Sequence, residues 1–76
     1  MKTKYVMINE IHDITKLVQI ASRVESNVLI KKGNFVVDAK SLMGVLSIDV
    51  STGVTIEYPE DANELDEYLS QFENRV

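Results

Sequence analysis

Apolar residues along this chain follow two different rhythms. Val54, Ile56 and Tyr58 alternate with Thr55 and Glu57, the two-residue period of a strand with one face inward and one in water. Pro59, which has no backbone N–H to give to a ladder, ends it. From Ile14 the spacing changes: Ile14, Leu17, Val18, Ala21 and Val24, with Ile20 alongside, draw one stripe on a 3.6-residue helix. Asp13 stands where that helix would take its N-cap. A second stripe, Ala62, Leu65, Tyr68, Leu69 and Phe72, predicts a closing helix, with Asp61 and Glu64 at the spacing of a capping box.

Between these lie shorter signals. Lys2 to Ile8 has the β-branched and aromatic character of a first strand. Val28-Leu29-Ile30 and Phe35-Val36-Val37 read as a strand pair joined through Gly33-Asn34, both of which tolerate positive φ. A short helix from about Leu42 to Ser47 follows, with Ser41 as its cap and Val45 turned to the core. Gly44 costs it on the order of 1 kcal/mol relative to alanine and points to close approach by a neighbouring group. The order β-α-β-β-α-β-α predicts a two-layer α+β fold, an antiparallel sheet with helices packed on its one apolar face.

Composition narrows the function classes. Residues 1–76 are expected to form a single domain, since a chain this short cannot supply two cores. No apolar run approaches the roughly 18 residues of a membrane span and the N-terminus lacks a signal-peptide core, so a cytoplasmic protein with no membrane partner is expected. The absence of cysteine removes disulfides and thiol chemistry. No histidine cluster has metal-ligand spacing, and there is no P-loop or glycine-rich dinucleotide turn, so neither metal, cofactor nor enzyme activity is expected. Residues 1–40 hold seven of the eight bases and four acids, and residues 41–76 one base and eight acids. That balance disfavours nucleic acid as a direct partner, leaving Lys31, Lys32 and Lys40 as the one local basic face to consider.

Two fragments carry a family resemblance. Lys40-Ser41-Leu42-Met43-Gly44-Val45-Leu46-Ser47 is close to K-S-I-M-G-V-M-S, and Leu17-Val18-Gln19-Ile20-Ala21-Ser22 is close to L-V-Q-A-A-S. Both patterns are those of the HPr family, the phosphocarriers of the bacterial phosphoenolpyruvate-dependent sugar phosphotransferase system, and one ungapped register aligns them. The resemblance spans almost the whole chain. It implies four antiparallel strands in the order 1-4-2-3 under three helices.

The same register locates the expected sites. In the family a G-I-H-A-R-P segment supplies the histidine that carries the phosphoryl group, and here Glu10 falls on that histidine, His12 on the arginine and Asp13 on the proline. A carboxylate cannot stand in for imidazole as a reversible phosphoryl carrier, and an added acid repels an incoming dianion. A non-carrier regulatory or interaction protein is therefore expected. A shifted alignment, with two residues deleted, places Ile11-His12 on the family's I-H pair and makes His12 the acceptor of phosphate from enzyme I, without the arginine. Ser41 matches the serine that a dedicated kinase phosphorylates in many Gram-positive relatives. Leu42, Met43 and Leu46 match a docking patch for protein partners, namely phosphotransferase-system components or a regulator or kinase.

Overall fold

The central strands of the sheet are β4 (Val54–Tyr58) and β2 (Leu29–Lys32), flanked by β1 (Lys2–Val6) and β3 (Phe35–Asp38) in the order β1-β4-β2-β3. The computed structural model describes residues 1–73 of the chain. All neighbours are antiparallel, with Lys2 opposite Tyr58, Ile30 opposite Ile56 and Val37, and Lys32 opposite Phe35. This is the order the resemblance implies. The β2–β3 hairpin turns on Gly33-Asn34, where Gly33 alone takes positive φ, +58°. Glycine at the first central position is the pattern of a type II′ turn, whose twist matches that of the strands it joins.

Three helices cover the face carrying Val6, Ile30, Val54, Ile56 and Tyr58: α1 (Ile11–Ser22), α2 (Leu42–Leu46) and α3 (Asn63–Ser70). The stripes predicted for α1 and α3 do point inward: Ile14, Leu17, Ile20 and Ala21 from the first, Leu65, Tyr68 and Leu69 from the third. They join one hydrophobic cluster with the sheet, and Val45 of α2 is buried in it. Truncating a fully buried leucine such as Leu17 to alanine would cost about 2–5 kcal/mol.

Several boundaries differ from the sequence expectation, each for a local reason. The first strand stops at Val6, because Met7 and Ile8 turn their N–H groups away from the sheet, to the carbonyls of Phe72 and Val50. Helix α1 starts a turn early: Glu10, not Asp13, is its N-cap residue, with the Glu10 carbonyl accepting from both Asp13 and Ile14. The extra turn exposes Ile11 and His12 and so leaves no apolar stripe. The capping box at α3 does not form. Ala62 caps it without a side-chain bond, and the Glu64 carboxylate is held instead by Arg23 at 3.2 and 2.9 Å. Around Gly44 the space is ordinary: a methyl group would meet Ser41 Oγ at 3.4 Å and Val37 Cβ at 3.7 Å, so close approach is not what selects glycine there. A 3₁₀ turn over Val50–Thr52, between α2 and β4, had no sequence signal.

Candidate functional site

The segment between β1 and α1 is fixed from two sides before it reaches Glu10. Met7 N–H donates to Phe72 O and Ile8 N–H to Val50 O, both at 3.1 Å. The first turn of α1 is fixed from a third, because the Tyr68 hydroxyl of α3 donates to Asp13 O at 2.8 Å. Tyr68 is itself steadied by an edge contact to Phe72 and by Lys16 over its ring. The Glu10 side chain is exposed and makes no bond to the helix N–H groups it precedes. Its carboxylate is thus presented at the positive end of the α1 dipole without being consumed as a cap.

His12 lies one turn-fraction onward, at the second helical residue. Its side chain is 81% exposed and Nε2 lies 3.4 Å from Asp13 Oδ1. Asp13 is therefore a first-turn acid beside the imidazole.

Helix α2 lies across a shallow depression from this loop, the two sides contributing Ile8, Asn9 and Val50, and Leu46, Ser47 and Asp49. Ser41 caps α2 as expected, its Oγ accepting from Gly44 N–H at 3.2 Å, while Ser47 Oγ donates to Gly44 O at 2.6 Å. Ser41 itself is exposed. Leu42, Met43 and Leu46 all face solvent, at 39%, 85% and 49% exposure, and Ile11 at the start of α1 is 60% exposed. Leu46 lines the depression on one side, Glu10 and Ile11 follow directly on Asn9 at the other, and Leu42 and Met43 stand at the far end of α2. Ile11 escaped the sequence reading because it falls off the α1 stripe; an apolar residue just ahead of that stripe was the available signal.

The lysines that suggested a basic face are dispersed and occupied. Lys31 Nζ lies 3.0 Å from Glu57 on the open side of the sheet. Lys32 donates to Asp49 O at 3.1 Å and to Thr52 Oγ1, and Lys40 donates to Val24 O at 2.6 Å. The last of these ties the end of α1 to the start of α2, which orients the Ser41 cap. Asp49 accepts from both the hydroxyl and the N–H of Ser51, which lowers its carboxyl below the usual range. Among the described residues no group of three or more potential ligands could hold a metal ion, and no helix is long and apolar enough to cross a membrane.

Comparison with known proteins places this geometry. The family described as "PTS HPr component phosphorylation site" matches residues 11–74. Among solved structures, HPr-C-His from Thermoanaerobacter tengcongensis superposes with a TM-score of 0.74 at 29% identity, covering 93% of this chain and 89% of that one. The phosphocarrier protein HPr of Bacillus anthracis gives 0.66 at 28% identity over 96% of each chain. Crh, a catabolite-repression protein of Bacillus subtilis, gives 0.64 at 31% identity over 92% of this chain and 88% of Crh. No curated protein matches. The family consists of phosphocarriers rather than enzymes, and its members work by contact with other phosphotransferase-system proteins. With the family match running over most of its length and the fold agreeing strand for strand, the chain belongs to the HPr family.

Proposed function

We propose that this protein is a regulatory or interaction member of the HPr family that does not carry phosphate on a histidine and that docks protein partners through Glu10, Ile11 and the exposed side of α2. The observation that carries the reading is the place of Glu10: it is the residue at the N-cap of α1, where the aligned family segment has its phosphohistidine. A carboxyl phosphate would hydrolyse or transfer with different energetics from a phosphoimidazole, and no arginine stands in the first turn to hold the phosphoryl oxygens. The exposed Leu42, Met43 and Leu46 support docking, since apolar side chains grouped on one short helix mark a contact surface. Met43 suits it by its adaptable, unbranched side chain. The likeness to Crh, a catabolite-repression protein, supports a regulatory role, and the family match supports a link to sugar transport through the phosphotransferase system of the bacterial cytoplasm.

Ser41 belongs to the same reading as a regulatory phosphorylation site. It is exposed, it caps α2, and a phosphate there would meet unpaired N–H groups while adding charge beside the apolar patch. Incubation with enzyme I and labelled phosphoenolpyruvate is the test. The expected result is no rapid acid-labile labelling of the protein, with labelling of an authentic HPr in the same tube; rapid labelling would overturn the non-carrier reading.

A second reading, an active carrier using His12, is favoured by the span of the family match, which takes in His12 and leaves out Glu10. It requires the imidazole to be free for an incoming phosphoryl group, and 81% exposure meets that need. Under it His12→Ala abolishes labelling while Ser41→Ala leaves it intact.

A narrower idea concerns the charge of Glu10. If its carboxylate imitates a phosphorylated histidine, one partner-binding state is locked on. The mimic carries one charge where a phosphoryl group carries close to two. Glu10→Gln should then weaken partner binding, and unchanged affinity would dispose of the mimicry.

A further inference from the structure

The charges of this molecule are not distributed as their counts suggest. Lys2 and Lys4 both lie on Asp66, at 3.6 and 3.7 Å, Lys16 stands over the Tyr68 ring, and Arg23 grips Glu64. With Lys31, Lys32 and Lys40 bound as described above, every basic side chain among the described residues has a partner, and none of those partners is Glu10. The docking face is therefore an apolar surface, Ile11, Leu42, Met43 and Leu46, with carboxylates at its α1 end, Glu10 and Asp13, that no ammonium or guanidinium pairs, whereas Asp49 has Lys32 beside it. Opposite charge at the rim steers and orients a partner, and like charge excludes it.

Resting on the docking reading above, we propose that the partner of this face is a protein helix whose apolar stripe is edged by arginine. Leu42 and Leu46 stand four residues apart and form one ridge on α2, the shape that packs into the groove of a second helix. Arginine fits better than lysine because its planar fork can take the Glu10 carboxylate in two parallel bonds while its flat faces lie against Ile11 and the exposed His12 ring. A partner site built around an acidic cluster, suited to a basic phosphocarrier site, would be repelled by the same face.

Two synthetic amphipathic peptides test this, identical in their leucine stripe and edged by arginine in one and by glutamate in the other, each titrated into the isotopically labelled protein. The arginine-edged peptide is expected to shift the amides of Glu10, Ile11, Leu42, Met43 and Leu46, and to bind about tenfold more tightly at low salt than its glutamate twin. Leu46→Ser should weaken it about tenfold or more, Glu10→Gln about three- to fivefold. Glu60→Gln, which removes one charge at the far end of the sheet, should leave it unchanged. Equal binding of both peptides, abolished by Leu46→Ser, would leave docking standing and overturn the charge assignment. If neither peptide bound this face, the docking reading and the proposal would fall together. Association of two copies through Leu46, seen by sedimentation without peptide, would replace the arginine-edged helix with a second copy and so overturn it as well.

Discussion

At Ser41 the oxygen that caps α2 is the same atom a kinase would esterify. Its Oγ accepts the Gly44 N–H, so Ser41→Ala should cost about 1 kcal/mol in urea denaturation, whereas Ser41→Asn, with an uncharged acceptor in the same place, should lie within a few tenths of the parent protein. The difference separates capping from signalling: a phosphorylation phenotype lost in both variants belongs to the kinase, and one lost only in alanine belongs to the helix. Three residues on, Gly44→Ala should raise stability by up to about 1 kcal/mol, because the added methyl finds ordinary contacts and the unfolded chain loses freedom. A loss of stability in the same melt would show that the short helix needs the glycine after all. Gly53 is the opposite case. It takes φ +106° beneath the Tyr5 phenol, so Gly53→Ala should cost about 2 kcal/mol or more, and part of that cost should vanish in the Tyr5→Ala background.

Between elements, polar contacts of long sequence separation do what local spacing could not foretell. The Tyr58 hydroxyl donates to Asp66 Oδ1 at 2.5 Å and so joins β4 to α3, and Lys4 ties both Asp66 and Glu73 to β1. The hydrogen bond from Tyr58, with the charges of Lys4 and Lys2, holds the Asp66 carboxyl below its ordinary value of 3.8. The unfolded chain therefore binds that proton first as pH falls. The stability from Asp66 is present above 3.8 and disappears as pH drops through the lowered folded value, and Asp66→Asn should flatten this acid limb in a pH series of denaturation midpoints. Burial and the same hydrogen bond raise the Tyr58 phenol, so its contribution is present below 10.0 and disappears only as pH rises through the raised folded value. The strands and the stripes of α1 and α3 were legible because period and burial are local to each element. The capping box at Asp61 was not, since Glu64 is taken by Arg23 from another helix. Nor was the first turn of α1, whose exposed Ile11 and His12 have no inward face to betray it.

Over the whole molecule, family and fold were readable from two fragments in one register, and the structure agrees down to the strand order. Of the candidate site's geometry, the cap of α2 at Ser41 was legible from its spacing, whereas at α1 the sequence put the cap on Asp13 and the structure has it at Glu10. The 1-4-2-3 order also sets a sequence of events in time. The β2–β3 pair needs only a two-residue loop to meet, whereas Val6 finds Val54 across most of the chain. Closing that long loop costs entropy before any contact at the β1 edge returns it. The hairpin should thus be in place early and β1 late, so a truncation or fusion at the N-terminus would be felt first in how fast the sheet completes rather than in how its inner strands begin.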